Sequence, residues 1–183
     1  AYHAGLDTEH RIKVQEQFQR DTVQIVVATV AFGMGINKPN IRFVVHYDLP
    51  KTIENYYQET GRAGRDGLPA ECVLYFDIAD VPRVKRMISD NPNEERSKVE
   101  LQRFNAMVAL ADAQTCRRQV LLSYFNEYEN QACGNCDICL DPPKSFDGSL
   151  MGQQAMSCIY RSGQQFGIGH VIDILRGSQN LRV

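Results

Sequence analysis

Three cysteines lie close together in this chain, each separated from the next by two residues, and a fourth lies upstream. Cys133, Cys136 and Cys139 form the run, a glycine and an asparagine fill its first gap, and Cys116 is the fourth cysteine. Glycine and asparagine favour tight turns, so this spacing aims the sulfur atoms at a common point. The sequence therefore predicts a fold in which residue 116 returns to the 133–139 loop and four thiolates hold one metal ion.

Two other uses of these cysteines are open from spacing alone. A disulfide framework is typical of secreted chains, and the N-terminal residues do not resemble a signal peptide. An iron–sulfur cluster fits the repeated spacing, but Leu140, Asp141 and Pro142 stand where a ferredoxin carries its next cysteine and proline. Zinc is therefore favoured, with a structural role, because four thiolates leave no open position for water. Cys72 and Cys158 are isolated in sequence. Isolated cysteines in a strand or an amphipathic helix usually act as small buried hydrophobic residues, so these two are assigned no role.

A glycine-rich string places two arginines three residues apart. It reads Gln58-Glu59-Thr60-Gly61-Arg62-Ala63-Gly64-Arg65-Asp66-Gly67. Glycines let another surface approach the backbone, and the guanidinium groups of Arg62 and Arg65 offer planar forks of donors that match phosphate oxygens. The alternative is a solvated loop that happens to carry arginines. The string predicts a turn at the end of a helix that contacts the phosphates of a nucleotide.

The first part of the chain alternates between helix and strand patterns. Helices are predicted over residues 8–19 and 52–63, and β-branched apolar runs predict strands over residues 24–29, 41–46 and 70–76. This order is typical of an open α/β sheet with buried parallel strands. The fold class is therefore predicted to be α/β.

The segment that follows Thr29 is a candidate binding loop. It contains Gly33 and Gly35 and continues to Asn40. In open α/β sheets, ligands bind at the carboxyl ends of the strands. We therefore expect this segment to form part of a site at that edge of the sheet.

Apolar residues recur at three- and four-residue spacings from about Asp80 onward. They predict three helices, of which the second and third form a hairpin with Cys116 near the start of the third. Two prolines end this part at residues 142–143. Beyond them, residues 151–165 and 168–176 are predicted to be helical, with Gly177 as a C-terminal cap.

Composition limits the possible functions. The net charge of −2 argues against a protein that coats nucleic acid by bulk electrostatics, so any such contact must be local. The sequence has no apolar run of roughly 18 residues, which argues against a membrane span. We expect the chain to act inside the cell. Because it opens on Ala1 and stops at Val183, we also expect it to be part of a longer protein.

Two strings resemble known helicase motifs. Residues 58–67 resemble motif VI of superfamily 2 helicases, and the run from Ala28-Thr29 to Asn37 resembles their motif V. Tyr2-His3-Ala4-Gly5-Leu6 resembles a string that precedes motif V in one family. In this order, and followed by the four cysteines, these motifs resemble the RecQ family of DNA helicases.

The resemblance implies an architecture of three parts. Residues 1–79 would form the C-terminal part of the second RecA-like helicase domain, which contributes a partial parallel sheet. Residues 80–143 would form a helical-hairpin zinc-binding subdomain. Residues 144–183 would begin a winged-helix (RQC) domain.

The resemblance also assigns roles to single residues. Arg65 would be the catalytic arginine finger that reaches ATP, with Mg²⁺, held mainly by the first RecA-like domain. The same nucleotide cleft would be lined by Gly35, Asn37, Gln58 and Arg62.

DNA contacts and the metal site follow from the same resemblance. Ala28 and Thr29 would lie close to the DNA backbone, and Cys116, Cys133, Cys136 and Cys139 would bind zinc.

The implied activity is that of an ATP-dependent DNA helicase of the cytoplasm (associated with the bacterial nucleoid) or nucleus. Such an enzyme couples ATP hydrolysis to translocation on single-stranded DNA and to unwinding of duplex junctions in repair and recombination. Its expected partners are DNA and ATP, and no membrane is expected to take part. The sequence contains neither the phosphate-binding Gly-x-x-x-x-Gly-Lys-Ser/Thr motif nor an acidic magnesium motif, so this chain alone is expected to be inactive. The alternative is a zinc-stabilised module that binds DNA or protein without motor activity.

Overall fold

The computed structural model describes residues 1–29, 32 and 36–178. Helix α1 spans Thr8–Gln19 and begins where the Asp7 carboxylate accepts a hydrogen bond of 2.8 Å from the His10 amide. Phe18 on this helix is buried and meets the ring of Phe32 edge-on. The predicted helix is confirmed, and a capping aspartate explains where it starts.

A strand–helix–strand unit forms the sheet. Strand β1 (Phe43–His46) and strand β2 (Glu71–Leu74) pair in parallel, and helix α2 (Ile53–Thr60) connects them. The hydroxyl of Thr52 caps the start of α2 by accepting from the Asn55 amide at 3.2 Å. The α/β prediction is confirmed, because the chain carries a small parallel sheet with its crossover helix.

Two details of the predicted sheet are wrong. Within the described residues, the segment 24–29 forms no strand; it makes one bridge, between Ala28 and Tyr2. A strand needs a continuous partner, and within the described residues the ladder-type hydrogen bonds of this segment are the two that it makes with Tyr2. The paired strands are also not fully buried, since Phe43 is 48% and Val45 49% exposed.

Helices follow the sheet as predicted. After a single 3-10 turn at Ile78–Asp80, the chain forms the helices α3 (Val81–Ser89), α4 (Glu94–Ala111), α5 (Arg117–Tyr124) and the one-turn α6 (Asp137–Leu140). Asn93 caps α4 by accepting from the Arg96 amide at 2.9 Å. Cys116 occupies the N-cap position of α5, so the hairpin of α4 and α5 brings a cysteine to the turn between them.

One hydrophobic cluster joins α2 to the helical part. Ile53 of α2 is 1% exposed and packs with Met107 and Leu110 of α4, while Val120 and Leu121 of α5 border the cluster. Full burial of a side chain of this size contributes about 1.5–3 kcal/mol. Residues Ala1–Asp141 accordingly form one compact unit.

A second unit covers Pro142–Val183. It contains α7 (Ser149–Arg161) and α8 (Ile168–Leu175), as predicted. Gly177 has a φ of +66°, and the Ser178 amide donates to the Asp173 carbonyl at 2.9 Å, which is the hydrogen bond of a glycine-terminated helix. Among the helices the structure describes, none combines the length and the apolar character needed to cross a membrane.

Candidate functional site

The glycine string forms a tight turn immediately after α2. Gly64 has a φ of +64°, and its amide donates to the carbonyl of Ile41, just before β1, at 2.9 Å. A Cβ atom at this position would lie 2.9 Å from the Leu68 carbonyl oxygen. Only glycine fits this backbone without strain, and the turn is thereby pressed against the sheet.

The two arginines of this turn have different surroundings. Arg62 is half-buried and its Nη1 donates to the Ile36 carbonyl at 3.2 Å, while its buried Nε has no acceptor in the described chain. Arg65 is exposed, donating from Nη1 to the Asn37 side-chain oxygen and from Nε to the Gly61 carbonyl, each at 3.1 Å. Across residues 1–29, 32 and 36–178, neither guanidinium pairs with a carboxylate. In the described part of the chain, no neighbouring carboxylate therefore offsets the charge of either group.

A shallow pocket of about 320 Å³ contains this charge. It is lined by residues of α2 and the turn, namely Tyr57, Gln58, Gly61, Arg62 and Arg65. Three of the predicted nucleotide residues, Gln58, Arg62 and Arg65, are therefore neighbours, and Asn37 joins them through Arg65. Gly35, the remaining one, lies outside the described residues.

The pocket lies near the amino ends of the two paired strands. Helix α2 runs back against the strands, so the turn meets Ile41 just before β1, and the Glu71 amide of β2 bonds to the Arg42 carbonyl at 2.9 Å beside it. The arginines thus gather near the amino ends of the two paired strands. The expectation for the binding loop stays a prediction, because residues 30, 31 and 33–35 of that segment lie outside the described residues.

Arg42 fastens the turn from the sheet. Its Nη2 contacts both carboxylate oxygens of Asp66 at 2.6 Å, and its Nη1 donates to the Pro69 carbonyl at 3.0 Å. The Arg42 guanidinium lowers the pKa of the Asp66 carboxyl, whose partial burial opposes the shift. Sequence reasoning missed this pair, because residues 24 positions apart leave no periodic signal.

Sequence reasoning also missed a contact that holds α2 against β1. His46 is buried at the end of β1, and its Nε2 lies 2.6 Å from Glu59 Oε2 on α2. The His46 ring also packs against Tyr56, with centroids 5.3 Å apart. Glu59 directly follows Gln58, so this contact sets which face of α2 the pocket residues occupy.

The residues predicted to lie near DNA, Ala28 and Thr29, are the last two of the segment 24–29. Ala28 bridges Tyr2, and the Thr29 amide donates to the Tyr2 carbonyl at 3.1 Å. Both Ala28 and Thr29 are exposed, so their surfaces are open to a ligand.

The four clustered cysteines converge in the fold. Their sulfur atoms all lie within 4.8 Å of one another, with 3.4 Å between Cys136 and Cys139 and 3.9 Å between Cys133 and Cys139. A zinc ion with four sulfurs at about 2.3 Å needs sulfurs separated by about 3.8 Å. The donor set and its spacing therefore fit tetrahedral zinc, and Cys116, 17 residues upstream of Cys133, is brought in by the start of α5.

Backbone amides favour the ionised form of one sulfur in this cluster, that of Cys116. Burial opposes ionisation of Cys116, but the amides of Cys133 and Gln119 donate to its sulfur and the pKa falls to about 6. The neighbouring sulfur of Cys136 raises the pKa of Cys139 to about 11. Four thiolates this close repel one another, so a bound divalent cation is what would keep all of them ionised.

Arg117 braces the metal loop against the helices. Its Nε and Nη2 donate to the two oxygens of Asp137 at 2.9 and 2.8 Å, and its Nη1 donates to the carbonyls of Leu110 and Ala111 at 2.8 and 3.0 Å. The last two acceptors are terminal carbonyls of α4, which lack partners within the helix. One side chain thus ties α4, α5 and α6 together.

Comparison with known proteins places these sites in a family. Three family models match the chain: "Helicase conserved C-terminal domain" over residues 1–67, "RecQ zinc-binding" over residues 78–140 and "RQC domain" over residues 142–183. "ATP-dependent DNA helicase RecQ" of Pasteurella multocida is 56% identical over 183 residues, which is 100% of this chain and 29% of that protein. The chain belongs to the RecQ family of helicases. The arginine turn lies within the matched helicase segment, and the cysteine cluster within the RecQ zinc-binding segment.

Other RecQ relatives agree. The proteins of the same name from Haemophilus influenzae and Bacillus subtilis are 55% and 44% identical, and this chain covers 30% and 31% of them. The chain thus spans about three tenths of the length of these curated relatives. A solved structure of the E. coli DEAD-box protein SrmB bound to RraA is similar over 51% of this chain and 59% of that chain, at 21% identity and a TM-score of 0.39, which is too low to support a conclusion.

Proposed function

We propose that this chain is part of an ATP-dependent DNA helicase that translocates on single-stranded DNA and unwinds duplex junctions in repair and recombination. The observation that carries the proposal is the pocket beside α2, where Arg65 is exposed, charged and free of carboxylates among the described residues. The RecQ relatives, which are named as ATP-dependent DNA helicases, support the same activity. We place the working enzyme inside the cell, on the nucleoid or in the nucleus.

In this proposal Arg65 is the arginine finger. Its guanidinium would approach the γ-phosphate of ATP and stabilise the charge that develops during hydrolysis. Arg62, Gln58, Asn37 and Gly35 would line the same cleft. ATP and Mg²⁺ would be held mainly by residues outside this chain, which has no Walker-type motif, so the chain alone would not hydrolyse ATP.

Domain roles follow the same proposal. Residues 1–79 would form the C-terminal part of the second RecA-like domain, with Ala28 and Thr29 close to the DNA backbone. Residues 80–143 would form the zinc-binding subdomain and residues 144–183 the start of a winged helix. The bounds of the three family models support this division, because one match ends and the next begins at residues 67–78 and again at residues 140–142.

The metal site in this proposal is structural. Cys116, Cys133, Cys136 and Cys139 would hold one zinc ion, which crosslinks the start of α5 to the one-turn α6 and completes a closed tetrahedral site. With four protein ligands there is no place for a reacting water. The chain's own contribution is to gather and partly ionise the sulfurs, as the amide hydrogen bonds to Cys116 do.

Replacement of the finger tests the function directly. We expect Arg65→Ala in the complete protein to lower DNA-stimulated ATP hydrolysis by about 10³-fold or more, since removal of such a finger has that effect in related phosphoryl-transfer enzymes. Binding to single-stranded DNA, measured by fluorescence anisotropy, should remain close to that of the unaltered protein. The measurement is phosphate release with and without single-stranded DNA.

Arg83→Ala is the matched control. Arg83 is an exposed arginine of α3 whose charge pairs with Asp80 at 3.3 Å, away from the pocket. This variant should keep full ATP hydrolysis. Normal turnover in Arg65→Ala would defeat the assignment of Arg65 as the finger. An unaltered protein that binds DNA but shows no DNA-stimulated ATP hydrolysis would instead favour a binding module without motor activity.

A further inference from the structure

The arginine turn depends on how α2 is held. Helix α2 has eight residues, and helices that short are not stable in water by themselves. Its last turn leads straight into the arginines: the Gly61 amide donates to the Tyr57 carbonyl at 2.9 Å, and Arg65 Nε returns to the Gly61 carbonyl at 3.1 Å. Any tilt of α2 is therefore passed to the guanidinium of Arg65.

A hydrogen bond joins the end of α5 to α2. The Tyr124 hydroxyl donates to Glu54 Oε1 at 2.8 Å, although the two residues are 70 positions apart. Burial opposes ionisation of Glu54, but its backbone amide and the Tyr124 hydroxyl hydrogen-bond the carboxylate and the pKa falls. Burial and the Glu54 charge raise the pKa of Tyr124, which keeps its proton. The contact is thus a hydrogen bond to a charged acceptor, which is stronger than one between neutral groups.

A second contact from α5 reaches the wall of the pocket. The Phe125 ring lies 5.5 Å from the Tyr57 ring between centroids, and Phe125 is itself held edge-on by Tyr124 at 5.2 Å. Tyr57 is one of the residues that line the arginine pocket. Tyr57 therefore contacts Phe125 at the end of α5 and also lines the pocket that contains Arg62 and Arg65.

The far end of α5 is anchored as well. Cys116 precedes its first turn and belongs to the cysteine cluster, and Arg117 fastens that turn to Asp137 and to the Leu110 carbonyl at the end of α4. A short helix fixed at its start can hold a neighbour firmly at its end.

We propose that Tyr124 and Phe125 are positioning residues for the arginine pair: from the end of α5 they hold α2 so that Arg62 and Arg65 face the pocket. This inference rests on the proposed role of Arg65 in ATP hydrolysis. Neither aromatic residue lines the pocket, so both act through Glu54 and Tyr57.

Kinetics separate positioning from simple stabilisation. Arg65 acts in the transition state, whereas ATP is held mainly by residues outside this chain. Loss of positioning should therefore lower kcat and leave the KM for ATP nearly unchanged. The Tyr124 hydroxyl lies beside the hydrophobic cluster of Ile53, Met107 and Leu110, and its removal leaves those side chains in place. Loss of this hydrogen bond to a charged acceptor should lower the melting temperature by a few degrees, while the protein stays folded at the assay temperature and keeps its zinc.

The test compares Tyr124→Phe with Tyr128→Phe in the complete protein. Tyr128 is 80% exposed, so the control removes the same hydroxyl four residues away. We expect Tyr124→Phe to lower kcat of DNA-stimulated hydrolysis about tenfold, within the limit of about 10²-fold for a misplacement of about 1 Å. Tyr128→Phe should match the unaltered protein. Equal kcat values for the two variants, or a fall in kcat that comes with lost zinc or with unfolding at the assay temperature, would overturn the proposal.

Variants of the acceptor provide a second test. Glu54→Gln keeps an oxygen for the Tyr124 hydroxyl and should retain more activity than Glu54→Ala. Combining Glu54→Ala with Tyr124→Phe should lower kcat no further than either change alone, and additive losses would contradict the inference. Arg65→Ala serves as the reference: if it turns over normally, the proposed function fails, whereas an inactive Arg65→Ala beside a fully active Tyr124→Phe rejects only the positioning role.

Discussion

Gly64 is the residue that allows the arginine turn to meet the sheet. Gly64→Ala would force a side chain into a φ of +64° and place its Cβ 2.9 Å from the Leu68 carbonyl oxygen and 3.2 Å from the Ala70 Cβ. The left-handed backbone alone costs about 1–2 kcal/mol, and the backbone clash adds to it. We expect the free energy of unfolding, measured by urea denaturation, to fall by more than about 2 kcal/mol.

Gly67→Ala is the control for that substitution. Gly67 has a φ of +79°, yet a Cβ there would meet nothing within 4 Å. Only the backbone cost of about 1–2 kcal/mol should therefore appear. If the two alanine variants lose the same stability, close approach of the turn to Leu68 and Ala70 is not what requires glycine at position 64.

Residue types predicted part of the site and could not predict the rest. Glycine spacing and paired arginines indicated that Gln58, Arg62 and Arg65 would gather, because those residues are local in sequence. The fastening of the turn by Arg42 and Asp66, and of α2 by His46 and Glu59, depends on pairs 24 and 13 residues apart. Such pairs form only once β1 and α2 are packed, so no local sequence pattern predicts them.

Helices and strands were not equally predictable. Helix α1 begins at Thr8 and ends at Gln19 as predicted, because a capping side chain and the 3.6-residue period are both written in the local sequence. The strand predicted at residues 24–29 is not formed, although its residues are β-branched. A strand is defined by its partner, and within the described residues this segment has one bridge, to Tyr2.

Arg117 is the element-scale link that zinc binding should depend on. Its guanidinium spans Asp137 beside α6 and two terminal carbonyls of α4. Arg117→Ala should therefore destabilise the helical part by about 1–3 kcal/mol, the range for hydrogen bonds to charged groups. Zinc should be lost faster to a chelator, which a colorimetric zinc indicator can follow.

Arg118→Ala is the neighbouring comparison for Arg117. Arg118 is exposed on the same first turn of α5, and no ion pair involving it occurs in the described part of the chain. Its replacement should leave the rate of zinc release unchanged. Faster release from Arg118→Ala than from Arg117→Ala would show that charge near the cluster, rather than the tie to Asp137, retains the ion.

At the scale of the whole molecule, the α/β part and the helical part share their interior. Ile53 of α2 packs on Met107 and Leu110 of α4, so residues 1–141 form a single compact unit. Sequence patterns indicated separate parts, because each helix shows its own apolar stripe. Packing between residues more than fifty positions apart decides which apolar stripes contact one another. Sequence periodicity does not predict these contacts.

The chain should be cut most easily between its two compact units. Residues 142–147 are exposed and belong to no helix or strand, and Lys144 is the tryptic site within them. A helix must open before a protease can cut it, and each ~1.4 kcal/mol of opening free energy slows cleavage about tenfold. Limited trypsin digestion followed by mass spectrometry should therefore show early cleavage after Lys144, with zinc retained by the product that contains Cys116 and Cys139. Lys144→Gln should remove this early cleavage, and early cleavage within α4 or α5 instead would mean that the shared hydrophobic cluster does not hold those helices closed.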